Sequence, residues 1–127
     1  MLRPTDVGEE MPTIHDLVRA IAERDGVEAV VVLGRDGLLI DGRTARDLDG
    51  EQLAALAPAV ATAAESVGIS SARGPLVTAV LEYENGLAIL SPLSSDAMLL
   101  VLVHASANLG SLLFDLRRHR ANIASIV

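Results

Sequence analysis

Leu76-Val77-Thr78-Ala79-Val80-Leu81-Glu82-Tyr83-Glu84-Asn85-Gly86-Leu87-Ala88-Ile89-Leu90-Ser91-Pro92-Leu93 is the stretch that decides the fold. From Leu76 to Glu84, Val77, Ala79, Leu81 and Tyr83 alternate with Thr78, Val80, Glu82 and Glu84, a period of two that puts side chains on opposite faces of a strand. Asn85-Gly86 tolerates positive φ at both positions and so favours a two-residue hairpin, with Leu87 to Leu93 as the returning arm. Ser94 to Asp96 turns the chain again. Met98 to Val103 is then an almost unbroken apolar run, as expected at the centre of a sheet. Strands joined by such tight turns must be antiparallel neighbours.

Upstream lies a long helix. Asp49 suits its N-cap, Gln52 occupies the capping-box position, and Leu53, Leu56, Ala57, Val60, Ala64 and Val67 form the expected core stripe. Pro58 falls inside it, deleting a hydrogen bond at a cost of about 3 kcal/mol, so a kink or a break is expected; periodicity that continues in phase favours the kink. Earlier still, Thr13 with Asp16 starts a first helix whose apolar face is Ile14, Leu17, Val18 and Ile21, and Gly26 suits its left-handed stop. Val27 to Leu33 and a segment opening at Leu38 to Ile40 flank the turn Gly34-Arg35-Asp36-Gly37 and read as another hairpin, followed by a polar connection from Gly42 to Leu48. Asn108 caps a closing helix carrying Leu109, Leu112, Leu113, Leu116, Ile123 and Ile126. The order is α-β-β-α-β-β-β-α, an α/β (α+β) single domain over residues 13–127 with helices on the faces of an antiparallel sheet. Residues 1–12, with two prolines and three acids, read as a flexible tail.

Composition excludes several function classes. The chain has no cysteine, which removes disulfides, thiolate metal sites and a cysteine nucleophile. It has no lysine, which removes Schiff-base chemistry and a phosphate-cradling lysine. A net charge of −7 with 2% aromatic residues lacks both the cations and the stacking surfaces that nucleic acid needs. No uncharged run approaches the roughly 20 residues that span a bilayer, and the first dozen residues do not form a secretory signal, so the expected location is the cytoplasm. Mean hydropathy of +0.41 without a membrane segment points to apolar surface covered by another subunit.

No catalytic constellation emerges. His15, His104 and His119 lie on different elements, the serines lack a His-Asp pair, and the 34–37 turn has neither the spacing nor the lysine of a nucleotide cradle. No cofactor or metal is expected. Arg117, Arg118, His119 and Arg120 complement the negative end of the last helix, or else dock an acidic partner. Opposite the expected core stripe of the middle helix, Ala55, Ala59, Thr62 and Ser66 form a second stripe that is small and uncharged. Small residues admit a second helix closely; the alternative is that alanine simply serves helix propensity on an exposed face. The strand from Leu76 to Glu84 is the expected open edge, with Thr78, Val80 and Glu82 on its neighbour-free side. An unpaired edge invites a second copy.

Taken in order, Gly26-Val27 leading to Val30-Val31-Val32, Asp36-Gly37-Leu38, Glu84-Asn85-Gly86-Leu87, Ser95-Asp96-Ala97-Met98-Leu99-Leu100, and Asn108-Leu109-Gly110 with Leu113, Leu116, Arg117 and Arg118 resemble the Roadblock/dynein light-chain family, in its bacterial MglB-like branch. The likeness runs from Pro12 to Val127, and Pro58 departs from it. The resemblance implies a Roadblock/profilin-like, five-stranded antiparallel sheet with the first and last helices on one face and the middle helix on the other. It implies a homodimer joined by the middle helix and the strand after it. It also implies a non-enzymatic regulator of a Ras-like small GTPase, stimulating hydrolysis by positioning the GTPase's own residues. On that reading Glu51, Gln52, Ala63 and Arg73 are the candidate partner contacts; Arg73 as an arginine finger is set against a plain solvated loop charge. A dimeric scaffold or adaptor, or a ligand-sensing module, are the competing functions.

Overall fold

Thr13 starts the fold. Its hydroxyl accepts from the Asp16 N–H at 3.1 Å while its own N–H donates to the Asp16 carboxylate at 3.0 Å, a closed capping box that opens α1 (Ile14–Ala22). Hydrogen bonding to the carboxylate from Thr13, its backbone N–H foremost and its side chain next, holds the Asp16 carboxyl below the usual carboxylate range. The computed structural model describes residues 13–45 and 47–118, so the tail 1–12 and the positions of His119, Arg120, Ile123 and Ile126 lie outside the described residues.

After α1 come β1 (Val27–Gly34), β2 (Leu39–Thr44), α2 (Gly50–Ser70), β3 (Ala79–Tyr83), β4 (Gly86–Pro92), β5 (Ala97–Val103) and α3 (Leu109–Arg118). The five strands form one sheet in the order β2-β1-β5-β4-β3, every pair antiparallel. The apolar runs of β1 and β5 lie inside it, and β2 and β3 are its edges. Alternation divides the core in two. Val30, Val32, Ile89, Leu99, Val101 and Val103 pack with Val18 and Ile21 of α1 and Leu112 and Leu116 of α3. Val31, Leu33, Leu90, Met98 and Leu100 pack on the other face with Ala54, Ala57 and Ala61 of α2. Two helices on one face and one on the other is the expected arrangement.

Three boundaries differ from the sequence reading. Gly26 is left-handed (φ +85°), but α1 ends at Ala22, so this glycine serves the turn into β1. There a Cβ would lie 2.7 Å from Ala107 Cβ, so the close approach also demands glycine. β2 continues through Gly42, Arg43 and Thr44, read above as a connection. An edge strand can be polar, and its ladder to Val31, Val30 and Ala29 uses backbone groups only. β3 begins at Ala79 rather than Leu76. Its register with β4 would set Val77 opposite Pro92, which has no N–H to give; instead the buried Ser91 hydroxyl donates to the Val77 carbonyl at 3.1 Å.

α2 runs unbroken through Pro58 over 21 residues, so the helix is not split. Asp49 caps it, accepting from the N–H groups of Glu51 at 3.0 Å and Gln52 at 3.3 Å. At its other end Ala72 takes φ +58°, with Ala72 N–H bonded to Ile69 O and Arg73 N–H to Gly68 O. That pair of bonds is a Schellman stop built on alanine.

Candidate functional site

The buried face of α2 is turned relative to the sequence reading, which placed Ala57, Leu53 and Val60 towards the sheet but missed Ala54 and Ala61. Ala54, Ala57 and Ala61 are the residues it buries against the sheet, with Leu53 and Val60 half-buried beside them. Leu56 and Val67, expected in the core, are 61% and 68% exposed. The strands beneath already supply bulk in Leu33, Leu90, Met98 and Leu100. A helix lying over such side chains must offer small ones to approach closely. The larger residues Leu56, Val60 and Val67, with Ala63 among them, recur at i, i+4, i+7 and i+11 along one flank of α2.

That flank overlooks β3. α2 lies chiefly over β1 and β2 and reaches Ala88 and Leu90 of β4, while Leu81 and Tyr83 of β3 are only partly covered. The result is an open apolar groove of about 300 Å³ lined by Leu53, Leu56, Val60, Leu81, Tyr83 and Leu102, among others. Tyr83 is 59% exposed at its rim. Beyond it, among the described residues, no strand pairs with the outer edge of β3. By length and composition α2 would pass for a bilayer span, which the sequence reading missed because Glu51 and Glu65 interrupt the run. In the fold Glu65 is held by Arg35 of the β1–β2 turn at 3.0 Å.

Of the residues singled out from sequence, Ala55, Ala59, Thr62 and Ser66 are exposed on the side of α2 turned away from the sheet. Val80 lies opposite Ile89 of the α1–α3 core, so Val80 and Glu82 share the sheet face remote from α2, while Thr78 precedes the strand. Glu51 and Gln52 are exposed in the first turn of α2, Ala63 is exposed on its flank, and Arg73 sits beyond its end, donating to the Ser71 carbonyl at 3.0 Å. The groove brings together two pairs that sequence reasoning kept apart, Leu56 and Val60 of the helix stripe and Leu81 and Tyr83 of the strand face. The signal was present as a second large apolar stripe beside the alanines.

Among the described residues, titratable groups do not converge. His15 contacts Asp41 at 3.3 Å, His104 contacts Ser106 at 2.8 Å, and Arg24 joins α1 to α3 through Asp115 and Ser111. Among the described residues no group of three His, Asp or Glu is placed to hold a metal ion.

A family model described as the Roadblock/LC7 domain matches residues 13–103. The chain belongs to the Roadblock/LC7 family. An uncharacterized protein of Methanocaldococcus jannaschii is 30% identical, over 83% of this chain and 91% of its own length. A Roadblock/LC7 domain from Streptomyces avermitilis superposes with a TM-score of 0.78 at 22% identity, covering 88% of this chain and 95% of that one. The gliding protein MglB from Thermus thermophilus also superposes with a TM-score of 0.78, at 16% identity and over 88% of this chain and 86% of that one. These superpositions show that the chain shares the Roadblock fold of both proteins.

Proposed function

We propose that this Roadblock domain works in the cytoplasm as a homodimer that binds a Ras-like small GTPase and raises its rate of GTP hydrolysis. The observation that carries the dimer is the exposed flank of α2, with Leu56 and Val67 open to solvent beside a β3 edge that no described strand pairs. Fully burying a leucine or valine side chain is worth about 1.5–3 kcal/mol. A two-fold contact would lay each α2 flank over the groove of the other copy while the β3 edges exchange backbone hydrogen bonds. Ala55, Ala59, Thr62 and Ser66 then border the helix pair, and Thr78, Val80 and Glu82 border the strand pair.

The GTPase is inferred from the MglB-like fold and from the resemblance described above. Glu51, Gln52 and Arg73 remain the proposed contacts, whereas Ala63, first grouped with them, lies on the flank assigned to the dimer; the chain acts on the hydrolytic residues of its partner rather than supplying its own. The test is single-turnover GTP hydrolysis by Ras-like small GTPases of the same organism, with and without this chain, alongside the mass of the free protein by light scattering. A dimeric mass and faster turnover are expected. Binding without a change in turnover would make the chain a scaffold, and no binding in either nucleotide state would end the GTPase reading.

A further inference from the structure

We propose that Arg35 and Glu65 form a latch that sets the position of the second half of α2, which makes Arg35 a positioning residue for the proposed dimer contact. Packing does not hold this half. The residues that α2 buries are Ala54, Ala57 and Ala61, and among the described residues none of α2 beyond Ala61 joins the core on that face. The remaining stretch, residues 62–70, runs about 13 Å at about 1.5 Å per residue. It carries Val67 and Ile69 at 68% and 72% exposure. Its tight approach at Gly68 is to the carbonyl of Gly74, in the loop that the helix itself leads into. Glu65 ties the stretch to the sheet instead: Arg35 Nη1 donates to both of its carboxylate oxygens, at 3.0 and 3.3 Å. Arg35 is well anchored for this. Its N–H donates to Asp96 O at 3.0 Å, and the neighbouring Gly34 N–H donates to Leu38 O at 2.9 Å, so the guanidinium stands where the β1–β2 and β4–β5 turns meet.

The contact is strong enough to close and weak enough to open. The two side chains are 33% and 29% exposed, so their charges attract more than those of a fully solvated pair. Yet one nitrogen makes both bonds, whereas a fork of two nitrogens is the stronger arrangement. Arg35 Nε is buried and meets no acceptor among the described residues. An unpaired buried donor raises the energy of the closed state, and opening returns it to water. A helical segment with few buried contacts opens at a fraction of the cost of global unfolding. Val67 rides on that segment, two residues beyond Glu65. The consequence rests on the dimer reading: a closed latch holds Val67 in place for the second copy, and the affinity of the two copies scales with the fraction of chains in which the latch is closed.

The experiment compares the full chain with Glu65→Ala and with the reversed pair Arg35→Glu/Glu65→Arg, by amide hydrogen exchange at matched dimer fraction and by sedimentation. Alanine is the better helix former, so protection lost in Glu65→Ala cannot come from propensity. Exchange in residues 62–70 should quicken about tenfold while residues 54–61 keep their protection, and the dimer should weaken about tenfold. The reversed pair should recover most of both. Added salt should weaken the wild-type dimer more than the Glu65→Ala dimer. Unchanged exchange in residues 62–70, an equal rise along the whole helix, or a reversed pair no better than the single variant would overturn the latch. A local rise with unchanged dimer affinity would overturn the positioning role of Arg35. A wild-type chain that sediments as a monomer would end the dimer reading alone, and the exchange pattern would still decide the latch.

Discussion

Ala72 carries backbone strain that its neighbours do not share. It ends α2 in the left-handed region at φ +58°, where a Cβ crowds the following carbonyl at a cost of about 1–2 kcal/mol, and where glycine is the usual choice. Ala72→Gly should therefore stabilise the protein by about 0.5–1 kcal/mol, the relief of strain being partly offset by the freer unfolded chain. Urea unfolding would show the midpoint rising with its slope unchanged; a lowered midpoint would mean that the alanine is not strained. Sequence could not single out this residue. Gly68 and Gly74 flank it and are the natural candidates for a stop, yet Gly68 is still helical and faces the Gly74 carbonyl, where a Cβ would lie at 2.7 Å. The first cap was legible by contrast, because Thr13 and Asp16 carry the reciprocal bonds in their own side chains at the required spacing.

At the scale of the element, α2 shows where periodicity stops being informative. The pattern correctly gave a long helix from Asp49 and correctly carried it in phase through Pro58. It did not say which of two apolar stripes turns inward, because helical spacing is indifferent to side-chain volume. That choice was made by the sheet, whose large residues leave room only for Ala54, Ala57 and Ala61. Two substitutions on the same helix should then behave oppositely. Ala57→Leu overfills a packed layer and should destabilise the chain by about 1–3 kcal/mol. Val67→Glu changes an exposed side chain, so it should leave helical content and folding intact while converting a dimeric mass to a monomeric one. Sedimentation and circular dichroism on the two variants separate these effects; a Val67→Glu protein that keeps its dimeric mass would place the contact elsewhere. β3 teaches the same lesson on a smaller scale: its alternation was visible from Val77 onward, but its start depended on Pro92 in the neighbouring strand.

For the molecule as a whole, tight turns made the hairpins legible, and the continuous apolar runs of β1 and β5 marked the interior of the sheet. How the two hairpins join was a matter of resemblance, since no turn links β1 to β5. The resulting sheet has two open edges of different character. β2 is interrupted by its bulge at Ile40, whereas β3 keeps an unbroken register with β4 across five residue pairs and has the apolar groove alongside. Irregular edges resist further pairing and regular ones admit it, so the proposed second copy is expected at β3. If the native form is two chains and the unfolded form is one, mass action ties stability to concentration. With an unfolding entropy of about 2.1 cal/mol/K per residue summed over two chains, each tenfold increase in protein should raise the melting temperature by roughly 3 °C. Calorimetry across two decades of concentration measures this directly. A melting point that stays level across that range, in a protein of dimeric mass, would mean that the copies part before they unfold and that each protomer is stable alone with its groove exposed.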